Sequence, residues 1–211
     1  MIDSNSPSPT QKITPTVSDT RCRECLQLLE HCFCAHITPV KSTHRVVILQ
    51  YPREQFKPLN SATLVSRSLA GSVLTRGLSW RNLGAILDEE INPKEWGALF
   101  FKPHTDSSRP LIAVDRHDKE LLDLNQLKGI IVLDGTWKQA KTLWWRNPWL
   151  VKLNRITLNP HHASLRRQVN TKYLSTIEAV ALTLSCLGEN PSITDSLLTS
   201  YKDCIVDKIK R

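Results

Sequence analysis

At 211 residues the chain has the length of a single domain, large enough to hold a core together without disulfides. Its 28 basic residues against 20 acidic ones leave a net charge of +8, which favours a polyanionic partner. No apolar run approaches the roughly 20 residues of a membrane-spanning helix, and the first twenty residues lack the basic start and apolar stretch of a signal peptide, so a soluble, cytoplasmic protein is expected.

Residues 1–20 are rich in Ser, Thr and Pro and read as a disordered tail. Residues 21–40 hold Cys22, Cys25, Cys32 and Cys34, a CxxC followed by a CxC. In a reducing compartment such a cluster suggests metal rather than disulfides. Four thiolates make a closed tetrahedral zinc site in a knuckle-like loop, structural because no coordination position is open. His31 or His36 is an alternative ligand, an iron–sulfur cluster is a less attractive occupant, and reduced thiols without metal are the plain alternative.

The remainder, 41–211, reads as one catalytic domain. Arg45–Tyr51 is an apolar run expected to be a buried strand, and Asn60 caps a helix expected to run to about Arg76, with Leu64, Leu69, Val73 and Leu74 as its apolar positions. Ala98–Phe101 and Leu111–Val114 are short strands. Lys128–Asp134 (KGIIVLD) has the continuous apolar character of a strand buried on both faces of a parallel sheet. Gly135 and Thr136 then turn the chain into a helix from about Trp137 to Arg146, halted near Pro148. This order puts Asp134 at the carboxyl end of a strand, where open α/β sheets bind ligands.

Arg155–Leu158 is a further strand. Ser175-Thr176-Ile177-Glu178 has the spacing of a capping box and opens a helix carrying Ile177, Val180, Ala181, Leu184 and Leu187. A last amphipathic helix starts near Ser192, with Leu197, Leu198, Tyr201, Ile205 and Ile209 on its apolar side. The alternation of strands and helices gives an α/β class, a mainly parallel sheet flanked by helices in one domain.

Between Gly135 and Ile177 there is no acidic residue, whereas Lys138, Lys141, Arg146, Lys152, Arg155, Arg166, Arg167 and Lys172 all fall there. Those residues match the whole net charge. Trp137, Trp144, Trp145 and Trp149 lie among them, interleaving groups for phosphates with flat faces for bases. RNA is therefore the favoured partner, against the plainer reading of a solvated basic face over a Trp-rich core. His161 and His162 follow Pro160 and read as a surface pair with no role.

Taken alone, LDGTW (Leu133–Trp137) is as well explained by an Asp capping a helix as by a catalytic carboxylate. Four stretches in order resemble the DTW-domain family, the tRNA-uridine aminocarboxypropyltransferases: the cysteine cluster; YPRE at 51–54 with LNSA at 59–62; LDGTWKQAKTL at 133–143; and RRQ at 166–168 with YLSTIEAVAL at 173–182. The chain has Tyr51 where the family usually has His, and Leu165 where an aromatic is frequent. The resemblance implies a SPOUT-like fold, related to the knotted methyltransferases. It also implies transfer of the 3-amino-3-carboxypropyl group of S-adenosylmethionine to N3 of a uridine in tRNA, with release of methylthioadenosine.

Chemistry then distributes the roles. Asp134 is the candidate general base for the weakly acidic N3–H. Backbone groups of Leu133, Gly135 and Leu174, with Thr136, Ser175 and Thr176 at helix starts, are candidates for holding the donor, as is Glu178, although Ser175 and Glu178 also make an ordinary capping box. Trp137 would stack on donor or uridine, and Ser61 and Glu54 would line the same pocket. Arg53, Lys57, Lys138, Arg146, Arg166, Arg167 and Lys172 are candidates for phosphate contacts. No obligate protein partner is expected. The rivals are an S-adenosylmethionine-dependent RNA methyltransferase, on the same implied fold, and a non-catalytic zinc-containing RNA-binding module.

Overall fold

The computed structural model describes residues 20–99, 108–160, 164–165 and 174–209. In chain order these form β1 (Val40–Lys41), β2 (Arg45–Gln50), α1 (Ser61–Ser68), β3 (Leu69–Ala70), β4 (Val73–Arg76), α2 (Leu83–Leu87), β5 (Trp96–Leu99), β6 (Leu111–Val114), β7 (Gly129–Asp134), α3 (Trp137–Arg146), β8 (Asn154–Leu158), α4 (Thr176–Cys186), α5 (Pro191–Tyr201) and α6 (Asp207–Ile209). A π-helical turn over Lys202–Val206 joins the last two helices.

The sheet order is β4-β2-β7-β5-β8-β6, parallel throughout except for β6, which runs antiparallel to β8 at one edge. The two runs without polar alternation, RVVILQ and GIIVLD, become the adjacent strands β2 and β7, as burial on both faces requires. Strand pleat divides their side chains. Val46, Ile48, Ile130 and Val132 join a core with residues of α1, α4 and α5, whereas Val47, Leu49 and Ile131 join Leu83 of α2 and Trp144 of α3 on the opposite face. The architecture is thus three-layered, with a mixed, mainly parallel sheet in the middle.

Register decides what meets at the carboxyl edge. Gln50 pairs with Arg76 on one side and Asp134 on the other, and pleat puts all three on the α1/α4 face. The helix expected from Asn60 to Arg76 is shorter than its apolar spacing suggested. Asn60 does cap it, accepting from the Thr63 N–H at 2.9 Å, but it ends at Ser68. Gly71 then takes φ 81°, a conformation open to glycine, and Val73–Arg76 turn back to pair with β2 as the edge strand β4. Edge pairing outweighed the helical spacing because β-branched Val73 and Thr75 suit an extended strand.

Strand β5 begins at Trp96 and is described to Leu99; Phe101 of the expected strand lies outside the described residues. Helix α2 escaped the sequence reading; Asn82 caps it through the Ala85 N–H at 2.7 Å. At the far end of α4, Glu189 ties the loop before β2, its Oε2 accepting from Ser42 Oγ (2.7 Å), Thr43 Oγ1 (2.8 Å), Thr43 N (2.9 Å) and the His44 ring Nδ1 (3.0 Å). Among the described residues no helix is long and apolar enough to cross a membrane.

Candidate active site

Strand β7 ends at Asp134, and the chain leaves it through Gly135. A β-carbon there would come within 2.9 Å of Gln139 Cβ and 3.4 Å of Tyr51 Cβ, so only glycine lets the strand turn directly into α3. Thr136 and Gln139 complete a capping box at the start of that helix: Thr136 N–H donates to Gln139 Oε1 at 2.6 Å. The helix cap is therefore supplied by Thr136. That leaves the Asp134 side chain to the other face of the turn.

There Asp134 is almost wholly buried and meets residues far away in sequence. Its Oδ2 accepts from Gln50 Nε2 at 2.9 Å, and its Oδ1 from Thr176 Oγ1 at 2.5 Å. Its backbone carbonyl accepts from the Tyr51 N–H at 2.9 Å, which fixes the start of the YPRE turn. Burial pushes the Asp134 carboxyl up; the Thr176 and Gln50 donors pull it back, and nearby Glu54 adds to the rise. Glu54, also buried, pairs with Lys57 Nζ at 2.7 Å, and its carbonyl accepts from Asn60 Nδ2 at 2.8 Å.

Gln50 organises this end of the sheet. Its amide N–H groups face Asp134 Oδ2 and Asn60 Oδ1 (3.3 Å), and its Oε1 accepts from Arg76 Nε at 2.9 Å. An Arg76–Gln50–Asp134 row thus crosses three parallel strands. Neither Gln50 nor Arg76 was singled out from the sequence. The available signal was a polar residue closing the apolar run RVVILQ one position before the YPRE motif.

The motifs that lie apart in sequence therefore converge. Asp134, Gly135, Thr136, Glu54, Thr176 and the helix start at Ser61 all lie at the carboxyl edge of β2 and β7. Leu133, Gly135, Leu174, Ser61 and Thr176 are half-buried around it. Glu178 is committed inward: Oε2 accepts from Ser175 N (2.9 Å), Ser175 Oγ (2.6 Å) and Ser164 Oγ (2.7 Å), and Oε1 from Leu165 N (2.6 Å). The carboxylate that closes the α4 capping box thereby holds Ser164 and Leu165 as well.

The four tryptophans of the basic stretch divide. Trp144 is buried, and Trp149 donates Nε1–H to the Trp80 carbonyl at 3.0 Å, so both serve the core side of α3. Trp137 and Trp145 are 43% and 76% exposed, and Lys141 Nζ lies 5.6 Å from the Trp137 ring centre. Arg53, Lys57, Lys138, Lys141 and Arg146 are exposed, whereas Arg155 pairs with Asp118 at 2.5 Å. Arg166, Arg167 and Lys172, with His161 and His162, lie outside the described residues.

The cysteine loop forms the second cluster. The Sγ atoms of Cys22, Cys25, Cys32 and Cys34 all lie within 4.8 Å of one another, with Cys22–Cys34 and Cys25–Cys32 at 3.9 Å. A tetrahedral zinc with bonds of about 2.3 Å needs sulfur separations of about 3.8 Å, so the donor set and its spacing can hold such a metal. The Cys25 backbone N–H holds the Cys22 thiol down at about 7, which eases formation of the first thiolate. Two residues on, buried Gln27 accepts the Leu59 N–H on Oε1 at 2.8 Å, joining this loop to the residue before the α1 cap.

Two curated relatives carry the name tRNA-uridine aminocarboxypropyltransferase 2, from Macaca fascicularis (26% identical, covering 88% of this chain and 62% of the relative) and Mus musculus (25%, covering 84% and 59%). A third of that name, from Drosophila melanogaster, is 28% identical and covers 84% of this chain and 70% of its own. The chain thus spans about three fifths of the length of the first two relatives. No solved structure matches. The DTW domain model matches residues 19–209, both clusters included, and the chain belongs to the DTW domain family.

Proposed function

We propose that this chain is a tRNA-uridine aminocarboxypropyltransferase, which moves the 3-amino-3-carboxypropyl group of S-adenosylmethionine to N3 of a uridine. The observation that carries the proposal is Asp134, a buried carboxylate with a raised pKa where the family's motifs meet. The names of the relatives support the reaction class. Asp134 takes the N3 proton; N3 bonds to the carbon γ to the donor carboxylate; the carbon–sulfur bond breaks, and its electron pair stays on sulfur as methylthioadenosine leaves. Because the sulfonium brings its own leaving group, the protein's share is deprotonation and alignment.

In this reading Leu133, Gly135, Thr136, Leu174, Ser175 and Thr176 form the donor cradle, with Glu178 holding its loop and Ser61 and Glu54 lining it. Trp137 stacks on donor or uridine. Arg53, Lys57, Lys138, Arg146, Arg166, Arg167 and Lys172 contact tRNA phosphates. Residues 21–40 hold structural zinc ahead of a catalytic domain at 41–211 with a SPOUT-like knot, and the protein works in the cytoplasm. The test supplies unmodified tRNA and donor labelled in the carboxypropyl arm, then identifies nucleosides by mass spectrometry for wild type and Asp134→Ala. Labelled aminocarboxypropyl-uridine with methylthioadenosine, lost in the variant, supports the proposal. Methylated nucleoside with adenosylhomocysteine, or RNA binding without product, overturns it.

A further inference from the structure

We propose that Arg76 is the seat of the donor's α-carboxylate, an inference that rests on the reading above. Arg76 closes edge strand β4, in register with Gln50 and two strands from Asp134. Its Nε–H is committed to Gln50 Oε1 at 2.9 Å, which sets the plane of the guanidinium; no described residue accepts from its two Nη atoms. Arg45, Arg67, Arg109 and Arg155 each face a carboxylate, yet no described carboxylate pairs with half-buried Arg76. Burial also works against its charge. A cation held partly out of water without a counter-ion is costly, and a ligand that brings an anion removes that cost.

The spacing suits one anion in particular. Arg76 Nε and Asp134 Oδ2 each lie 2.9 Å from the Gln50 amide, which sets the two groups within about 8 Å of each other. A base-to-N3 hydrogen bond of about 2.8 Å, an attack distance of about 3 Å, a three-bond arm of about 4 Å and the carboxylate's own hydrogen bond of about 2.8 Å add up to more than that gap, so the reactants can arch across Gln50 from one group to the other. With the base at one end of the row and the carboxylate forked by the Nη edge at the other, the reacting carbon lies between them, under Gln50. Arginine serves this better than lysine because its planar fork matches a carboxylate in two hydrogen bonds.

The experiment measures equilibrium binding of S-adenosylmethionine, its decarboxylated analogue and unmodified tRNA to full-length wild type, Arg76→Met and Arg76→Lys, with circular dichroism confirming fold. Wild type should prefer the carboxylated donor. Arg76→Met should weaken that donor about 10- to 100-fold, leave the decarboxylated analogue unchanged and leave tRNA binding unchanged. Arg76→Lys should fall between, keeping charge without the fork. Equal losses for both donors, or a preference for the carboxylated donor intact in Arg76→Met, would overturn the proposal while leaving the transferase reading standing. Loss of tRNA affinity alone would make Arg76 a phosphate contact instead. Wild type that binds neither donor would remove the reading beneath it.

Discussion

Asp134 and Glu189 each end in a carboxylate withdrawn from water, 8% and 6% exposed, and their surroundings drive them in opposite directions. At Glu189 burial opposes ionisation, but donors from Ser42, His44 and Thr43 outweigh it and hold the group down at about 2. At Asp134 there are two side-chain donors, and burial prevails, so the carboxyl is pushed up. Hydrogen-bond saturation marks a carboxylate that holds the fold. Under-saturation leaves lone pairs and basicity for something else. Glu178, with four donors, belongs with Glu189 in this respect, although it sits beside Asp134.

The contrast can be broken most directly by Asp134→Asn. Turnover should fall about 10²- to 10⁴-fold, read in single-turnover assays of labelled nucleoside. Stability should behave in the opposite sense. A carboxyl whose folded pKa lies above its unfolded value loses stability as pH rises through the folded value, so above that window burying it is a cost that Asn removes. The melting temperature should hold or rise; a drop of several degrees would place Asp134 in the same class as Glu189.

Glu189→Gln should do the reverse. It should cost about 2–3 kcal/mol in denaturant unfolding by weakening the hold on Ser42–His44, with activity per folded molecule unchanged. Wild type should lose the same contribution as pH falls from the usual glutamate value near 4.5 to about 2, since a depressed group stabilises above its unfolded pKa; the variant's stability should be flatter across that window. The smallest effect belongs to Thr176→Val, which removes one of the two Asp134 donors. The acid limb of the pH–rate profile should move to higher pH, with about 1 kcal/mol of stability lost. An unmoved limb would mean that Asp134 is not the titrating base.

Local signals carried far. The continuous apolar run of β7, the Thr136 turn into α3 and the capping box of α4 were legible because each is decided within a few neighbouring residues. Arg76 was not. Its segment fits helical spacing, and only pairing of β4 with β2 turns it into a strand end. Gln50 was hidden for a related reason, since its role arises from register on both sides, which no single segment encodes. The basic stretch revealed tryptophans but not their division, because Trp144 and Trp145 are neighbours whose fates depend on the rotation of α3 against the sheet.

Leu59 holds φ 54°, a conformation branched aliphatic residues avoid, and it stands directly before Asn60, the cap that touches both Gln50 and the Glu54 carbonyl. What restrains it is the bond to Gln27, two residues past Cys25. The cysteine loop is thus a guy-line on the floor of the site, and a metal that gathers the thiolates would tighten it. With zinc and donor bound as proposed, stripping the metal with a chelator should loosen donor binding while the helical circular-dichroism signal persists, and Gln27→Ala in the metal-loaded protein should reproduce the slackening. Metal supply would then set how many molecules can work before it set how many are folded.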